Sequence, residues 1–232
     1  MLRPETADKA LRLTASFEGH GSGNAAGDFD GAVLTWGDLG FALGPGSLHT
    51  LLLRIVSEKP ALLPEPFVEA IKGGQKATIA FVRQHILNPA NPKQVLGEWQ
   101  QRFVWLHGQP EVRAAIQYAS QRYLQRAVQI AEGYKFETER GFCLAFDIAV
   151  QNGSVVPKAR QWFLQHPEHK SPEEWRRLKA LAHAVSQGAL PQWRADVLSR
   201  KLAIAVGQGT VHGRWYNVKK EYGISYEEKW SG

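Results

Sequence analysis

Apolar residues recur at spacings of three and four along most of the chain, which is the period of an amphipathic α-helix. The segment 109–134 shows this best, because its apolar and aromatic side chains follow at steps of 4, 3, 4, 4, 3 and 4. A first helix is predicted over Glu5–Glu18, where Pro4 suits the first turn and Gly19 suits the exit. The pattern therefore predicts a mainly α-helical protein.

A second helix is predicted after Ser47, which suits an N-cap. Two short helices are predicted over PEPFVEAIKGG and QKATIAFVRQHIL. Two more are predicted along the apolar stripe from Trp175 to Val185 and from Trp193 to Val206. The segment GFCLAFDIAVQNG is apolar almost all round and predicts a central buried helix. Asp147 lies in that segment, where an unpaired charge is costly. We expect it either to pair with an arginine, Arg140 or Arg214, or to line the floor of a cleft.

Glycine interrupts the helical pattern between residues 19 and 31, which indicates a loop. The following AVLTWGDLGF predicts a small β-hairpin. The predicted fold class is therefore mainly α, with two helical lobes and a small hairpin beside a cleft. We expect one domain spanning 1–232 and expect it to be the C-terminal part of a longer protein. Proline-rich stretches at Pro60–Pro66 and Pro89–Pro92 are the predicted lobe boundaries.

The composition of the chain limits the kinds of partner and site that it can have. The 232 residues carry 28 Lys and Arg against 22 Asp and Glu, a net charge of +6 that suits a polyanionic partner. The basic residues are spread along helical patterns rather than gathered in a tail, so nucleic acid is not the expected partner. No apolar run approaches the ~20 residues of a membrane span. The single cysteine, Cys143, excludes an internal disulfide and a cysteine-based zinc site.

No metal or other cofactor is expected. His166 and His169 frame the sequence HPEH, but Pro167 disfavours the helix that would bring them together on one face. The glycine-rich GHGSG and GPGS lack the lysine of a phosphate-binding loop. The N-terminal residues are polar and charged, without the apolar core of a signal peptide. We therefore expect synthesis in the cytoplasm and delivery to the periplasm by a secretion system or within a larger protein.

The chemistry is predicted at the end of the first helix. The helix dipole and the apolar Phe17 disfavour the charged form of Glu18 and raise its pKa, as a glycosidase acid requires. Asp28 and Asp30 follow in a loop with many backbone N–H groups, which keeps a carboxylate ionised. The two environments divide the roles of acid and base between the helix and the loop. The alternative is that all three are solvated surface carboxylates.

The motifs SFEG and GDFDGAVLTWGDLGFALGPGSLHTLL resemble the lysozyme-like superfamily near glycoside hydrolase family 46, the chitosanases. They also resemble bacterial and phage peptidoglycan hydrolases with an FEG, NFDG, LSWG and GQG pattern, which FDIAVQNG and GTVHGRWYNV also fit. The resemblance implies Glu18 as general acid, Asp30 as the base that opens a D-G-x-x-x-T segment, and Thr35 as the residue that helps to hold the attacking water. Asp28 is the alternative base.

Five further residues are candidates for contact with a substrate. Trp36 and Phe41 either stack on sugar rings or belong to the core. Asn152 either caps its helix or hydrogen-bonds a sugar. His212 is predicted to reach the cleft. Asp28, where it does not act as the base, is predicted to bind substrate.

The loop between the two predicted carboxylates is shorter than in typical chitosanases, and the basic chain suits an anionic polymer. We therefore expect an inverting lysozyme-like hydrolase, most simply a muramidase, that acts as a monomer on the glycan strands of peptidoglycan. It would serve as an antibacterial type VI effector, which implies a cognate immunity protein, or as a phage-type lytic domain. The alternatives are a chitosanase and a non-catalytic module that binds cell wall or nucleic acid.

Overall fold

The computed structural model of the chain describes residues 1–17, 23–29 and 31–232. The chain divides into two compact units. The first unit combines Met1–Phe17 with Arg122–Gly232, and the second runs from position 18 to Gln121. The prediction of a mainly helical protein with two lobes is confirmed.

The described residues form the helices α1 (Pro4–Phe17), α2 (Ser47–Glu58), α3 (Glu65–Lys72), α4 (Gln75–His85), α5 (Gly97–His107), α6 (Pro110–Gly133), α7 (Glu139–Gln151), α8 (Pro157–Gln165), α9 (Glu174–Gly188), α10 (Arg194–Val206) and α11 (Val218–Tyr222). They form three antiparallel strand pairs: β1 (Thr35–Trp36) with β2 (Phe41–Ala42), β3 (Leu87–Asn88) with β4 (Asn91–Val95), and β5 (Gln208–Val211) with β6 (Arg214–Asn217). The sequence pattern did not predict α5, because the exposed Val104 and Trp105 blur its apolar stripe. None of the helices in the described residues has the length and apolar character needed to cross a membrane.

The division between the units falls inside α6, between Gln121 and Arg122. The predicted lobe boundaries at Pro60–Pro66 and Pro89–Pro92 are therefore wrong, since both stretches lie within the second unit. Pro66 instead occupies the first turn of α3. Proline fits that position because the first turn of a helix leaves its N–H groups without intrahelical partners.

Helix α7 forms the centre of the first unit, as its apolar surface predicted. Every residue from Gly141 to Ala149 is buried, and the helix packs against α1, α9 and α10. The Thr138 side chain caps its N-terminus by accepting a hydrogen bond from the Gly141 N–H at 3.0 Å. A helix that is apolar on all sides must be enclosed by other elements, and here three helices enclose it.

A buried carboxylate ties α7 to the two ends of the chain. Glu139 accepts hydrogen bonds from Lys9 Nζ at 2.8 and 2.9 Å, from the Thr6 hydroxyl at 3.1 Å and from the Ser225 N–H at 3.1 Å. Burial alone raises the pKa of Glu139, but the bonds from Lys9 and Ser225 outweigh it and leave the pKa below its ordinary value. This carboxylate therefore holds α1 and the C-terminal segment against the central helix.

The predicted hairpin is present in the second unit. Strands β1 and β2 pair Thr35 with Ala42 and Trp36 with Phe41. Gly37 opens the connection with φ of 83°, a left-handed conformation that favours glycine.

Ser47 begins α2 but does not cap it, which corrects the N-cap prediction. The cap position is Gly46, with φ of 94°. The Ser47 hydroxyl instead accepts from the Ala42 N–H at 2.9 Å and lies 3.2 Å from the Ala42 carbonyl. Ser47 therefore fastens the end of the hairpin to the start of α2.

Candidate active site

The two carboxylates predicted to carry out the chemistry, Glu18 and Asp30, lie outside the described residues. The structure does define the surroundings of their chain neighbours, Phe17, Phe29 and Gly31. Those surroundings belong to different units, and each set is held by its own contacts.

In the first unit, Phe17 ends α1 as a buried side chain, 1% exposed. Its ring meets the ring of Tyr216 edge-on, with centroids 4.9 Å apart, and the Tyr216 hydroxyl donates to the Ser16 carbonyl at 3.1 Å. The Arg200 guanidinium lies 5.4 Å from the centroid of the Phe17 ring. The residue immediately before the predicted acid is therefore fixed between an aromatic ring and a cation.

Arg200 belongs to a buried ionic cluster that joins α7 to α10. Asp147 accepts from Arg200 Nη2 at 2.7 Å through Oδ1 and from Lys201 Nζ at 2.5 Å through Oδ2. The expected ion pair is present, but Arg140 and Arg214 are not the partners. Arg214 pairs with Glu221 at 2.8 Å.

The two cations control the protonation of Asp147. Burial alone raises the pKa of this carboxyl group, but Arg200 and Lys201 outweigh burial and bring the pKa to about 2. Asp147 is therefore an anion throughout the neutral range. A group that stays ionised and is fully buried cannot exchange protons with a substrate, so its part is structural.

The cluster continues toward the surface through an amide and a second carboxylate. Gln151 accepts from Lys201 Nζ at 2.5 Å and donates to Asp196 Oδ2 at 2.9 Å. Asp196 Oδ1 contacts His212 Nε2. His212 has φ of 50° in the turn between β5 and β6 and keeps 53% of its side chain exposed. The structure thus links a predicted substrate-binding histidine to the buried cluster.

Asn152 lies at the same end of α7. It occupies the C-cap position, and its N–H donates to the Ile148 carbonyl at 2.9 Å, which confirms the capping role. Its side-chain oxygen is buried and has no hydrogen-bond partner in the part of the chain that the structure describes. Asn152 and Asp196 line a cavity of about 410 Å³ beside Trp193, which is 52% exposed. A free amide oxygen, a carboxylate and an aromatic ring suit a sugar, so the binding role of Asn152 stays a prediction.

In the second unit, Asp28 is engaged in holding its own loop. Its Oδ1 accepts from the Val33 N–H at 3.0 Å, and its N–H donates to the Pro92 carbonyl at 2.8 Å. The carboxylate therefore ties Asp28 to Val33, while the backbone N–H of Asp28 ties the loop to Pro92. This role accounts for an aspartate at position 28 without a substrate, and the predicted contact with substrate is not needed to explain it.

Two glycines allow the backbone to pack tightly around this loop. A Cβ at Gly27 would lie 2.2 Å from the Pro92 carbonyl oxygen, and one at Gly44 would lie 2.1 Å from the Gly31 carbonyl oxygen. Gly31 itself has φ of 80°. The chain on either side of position 30 is therefore set by backbone contacts that no other residue type would permit.

Thr35, the predicted water-holding residue, lies on β1 and is half-buried. Its backbone exchanges hydrogen bonds of 2.8 and 2.9 Å with Ala26. Its hydroxyl has no hydrogen-bond partner among residues 1–17, 23–29 and 31–232. The hydroxyl is therefore available for a water or a ligand, as the prediction requires.

Trp36 and Phe41 belong to the core of the second unit. Trp36 is 0% exposed and donates from its indole nitrogen to the Gly23 carbonyl at 2.9 Å, and Phe41 is 2% exposed. The Trp36 ring packs against Phe103, with centroids 5.1 Å apart. The core interpretation is therefore correct for both rings, and the prediction that they stack on a sugar is corrected, because neither face reaches solvent.

Phe29 is an exposed aromatic residue of this loop that the sequence pattern did not identify. It is 48% exposed, next to position 30, and Lys93 Nζ lies 5.4 Å from its ring centroid. A large apolar residue inside a polar, glycine-rich loop cannot be there for helix or strand periodicity. That mismatch was the signal that could have identified it.

The HPEH histidines are used in a turn. His166 Nδ1 accepts from the Glu168 N–H at 3.2 Å, and His169 Nδ1 lies 2.7 Å from the His166 carbonyl oxygen. Among the described residues, no group of three or more His, Cys, Asp and Glu side chains is arranged to hold a metal ion.

Comparison with solved structures identifies the fold. A chitosanase of glycoside hydrolase family 46 from Gynuella sunshinyii, solved with chitotetraose, matches with a TM-score of 0.65 and 15% identity over 93% of this chain and 98% of its own. The chain has the fold of these chitosanases. A native chitosanase from Bacillus subtilis matches with a TM-score of 0.64 and 15% identity over 94% of this chain and 98% of its own. A chitosanase solved with substrate matches with a TM-score of 0.62 and 20% identity over 93% and 97%.

No protein-family model matches the chain, and no curated protein sequence matches it. The fold therefore agrees with the resemblance to family 46 that the motifs show. At sequence identities of 15% to 20%, the structural match identifies the fold and not the activity.

Proposed function

We propose that the chain is a glycoside hydrolase that cleaves β-1,4 bonds between amino sugars. The observation that carries the proposal is the agreement between the fold and the sequence motifs. The fold matches that of family 46 chitosanases over more than nine-tenths of the chain, and SFEG and the D-G-x-x-x-T segment occur in the order that the family resemblance requires. The structural match alone would identify a fold, and the motifs alone would indicate a resemblance; together they support a hydrolase.

In the proposed mechanism, Glu18 protonates the bridging oxygen of the glycosidic bond as the general acid. Asp30 removes a proton from a water on the opposite face of the sugar, and Thr35 helps to hold that water. The configuration at the sugar inverts in such a displacement, for which the two carboxyl groups need a separation of ~6.5–9.5 Å. The free hydroxyl of Thr35 supports its part.

Peptidoglycan is the substrate that we favour. The net charge of +6 suits a polymer that carries carboxylates, and a basic protein gains nothing electrostatically on cationic chitosan. Chitosan is the second candidate. It is favoured by the solved structures compared above, which are chitosanases, one of them in complex with chitotetraose.

Product analysis tests the proposal and separates the two substrates. Purified sacculi and soluble chitosan are digested in parallel, and the new reducing ends are identified by mass spectrometry. We expect fragments from sacculi that end in reducing muramic acid, and none with Glu18→Gln. Reducing glucosamine ends from sacculi would indicate a glucosaminidase, and cleavage of chitosan alone would indicate a chitosanase. Binding without cleavage of either polymer would refute the hydrolase and leave a wall-binding module.

We propose further that the protein acts from the periplasmic side of a bacterial envelope, as a type VI effector with an immunity protein or as a phage-type lytic domain. Expression in a host tests this. We expect lysis when the chain is directed to the periplasm and none when it stays in the cytoplasm. Equal toxicity in both compartments, or toxicity that persists in Glu18→Gln, would contradict it.

A further inference from the structure

A basic groove of about 930 Å³ lies in the first unit, and the candidate active site uses none of its residues. Its walls come from the second half of α6, from α8 and from the segment that precedes α9. Four exposed cations line it: Arg126, Lys135, Arg160 and Lys170. Its size is in the upper range of small-ligand sites, so it can take an extended ligand.

The described residues do not neutralise the four cations. None of them forms an ion pair with another of the described residues. The acidic residue that lines the groove, Glu137, pairs with Lys229 at 3.4 Å, outside the set of four. Like charges on one concave surface repel each other and attract an anion from solution. The groove is therefore complementary to a ligand with more than one negative charge.

A fixed guanidinium helps to shape the wall. Arg177 donates from Nη1 to the Ser171 carbonyl at 2.7 Å and from Nη2 to the Lys135 carbonyl at 3.0 Å. These bonds tie the turn after α6 to the segment before α9. They also hold Lys135 in a left-handed conformation with φ of 54°, which is costly for a residue with a side chain. Arg177 thus links the two sides of the groove and fixes the backbone that carries Lys135.

The floor of the groove is apolar. Ile130 and Phe163 are buried beneath it, and the Tyr134 ring meets Phe163 edge-on with centroids 4.9 Å apart. Leu164 adds an aliphatic side chain that is 53% exposed. A polyphosphate chain has no apolar groups that could cover this surface. A ligand that alternates carboxylates with small aliphatic groups would cover it.

We propose that this basic groove binds an acidic peptide. The carboxylates of the peptide pair with Arg126, Arg160 and Lys170, and the short aliphatic side chains of the peptide lie over Ile130 and Phe163. Peptidoglycan carries peptides with free carboxylates and chitosan carries none. The groove would therefore favour the first polymer, a consequence that rests on the proposed function. The binding itself does not.

The test measures binding by the whole chain of a fluorescent pentapeptide of alanine and glutamate, followed by anisotropy at low and at moderate salt. The same peptide with amidated carboxylates is the uncharged control. The groove variant carries Arg126→Gln, Arg160→Gln and Lys170→Gln. The matched variant carries Lys76→Gln, Arg83→Gln and Lys220→Gln, which removes the same charge from exposed positions outside the groove.

We expect the groove variant to bind the acidic peptide about tenfold more weakly or worse, because each exposed ion pair contributes roughly 1.5- to 5-fold. The matched variant should stay within about twofold, and salt should weaken binding to the wild type. Equal losses in the two variants, or equal binding of the amidated peptide, would overturn the proposal. Tighter binding of inorganic polyphosphate at the same residues would also overturn it. Unchanged thermal midpoints show that both variants are folded.

A second measurement separates this inference from the proposed function. Hydrolysis of intact sacculi is compared with hydrolysis of glycan strands from which the peptides have been removed. We expect the groove variant to lose rate on the intact wall alone. Peptide binding without any glycan cleavage would support the groove and refute the hydrolase. Cleavage with an unchanged ratio of the two rates would show that the groove does not select the substrate.

Discussion

Arg200 donates to Asp147 across 2.7 Å in the interior of the first unit, where the two side chains are 3% and 0% exposed. The pair joins α10 to the central helix α7, and the same guanidinium lies over the ring of Phe17 at the end of α1. Three helices, α1, α7 and α10, therefore meet at one ionic contact. This contact lies against Phe17, the residue that precedes the predicted acid in the chain. Removing one member of such a pair costs more than the pair contributes, because the remaining charge is still buried.

Asp147→Asn should lower the free energy of unfolding by about 3–5 kcal/mol, since two buried cations lose the carboxylate that they share. Urea denaturation measures this directly. The control is Glu69→Gln, which breaks the exposed pair with Lys72 at 2.9 Å and should cost less than about 1 kcal/mol. Similar losses for the two variants would mean that the buried cluster is no more important than a surface pair.

The stability contribution of Asp147 should disappear in acid. Its pKa is about 2 in the folded protein, below the ordinary value of 3.8. A lowered folded pKa means that the contribution is complete above pH ~4 and is lost as the pH falls toward ~2, in total about 2 kcal/mol. The free energy of unfolding, measured against pH in urea, should fall more steeply in this range for the wild type than for Asp147→Asn. Parallel curves would contradict the assignment.

Glu18→Gln and Asp30→Asn should each lower kcat by about 10²- to 10⁴-fold, the usual contribution of a general acid or base. Their thermal midpoints should stay close to the wild-type value. Glu132→Gln removes an exposed carboxylate from α6 and serves as the control. Full activity in either of the first two variants would remove that residue from the mechanism.

Asp28→Asn separates the two candidate bases. The asparagine keeps an oxygen that can accept from the Val33 N–H, so the loop should hold its shape while the negative charge is lost. If Asp30 is the base, kcat should change by no more than about threefold, less than for the loss of a base. A loss as large as that of Asp30→Asn, with an unchanged melting temperature, would assign the base to Asp28.

Thr35→Val tests the role in holding water. Valine keeps the β-branched shape that suits β1, so stability should be retained, while the hydroxyl is lost. We expect kcat to fall about 3- to 10-fold, the effect of one hydrogen bond. Thr210→Val, at an exposed position of β5, is the matched control and should be fully active. Equal activity of the two variants would show that the Thr35 hydroxyl is not used.

Gly27→Ala should destabilise the protein by about 1–3 kcal/mol, because the new methyl group would overlap the backbone of Pro92 and Lys93. Gly97→Ala is the control, since nothing lies within 4 Å of the added carbon. It should change the stability by less than about 1 kcal/mol. Thermal unfolding compares the two, and a fully stable Gly27→Ala would show that the loop can move aside.

The sequence by itself determined most of the elements. The 3.6-residue period placed α1 and α6 to within a residue or two, and the all-round apolar surface of α7 predicted its central position. The short alternation around Thr35 and Trp36 predicted the β1–β2 hairpin. These features are local, since helix and hairpin preferences depend on residues that are neighbours along the chain.

Only the tertiary structure decided which residues meet across the chain. Asp147 lies 53 residues from Arg200 and 54 from Lys201, so its partners depend on how α7 packs against α10. The burial of Trp36 and the basic groove likewise arise where distant elements come together. Periodicity reports which face of an element is apolar, but it does not report which other element covers that face.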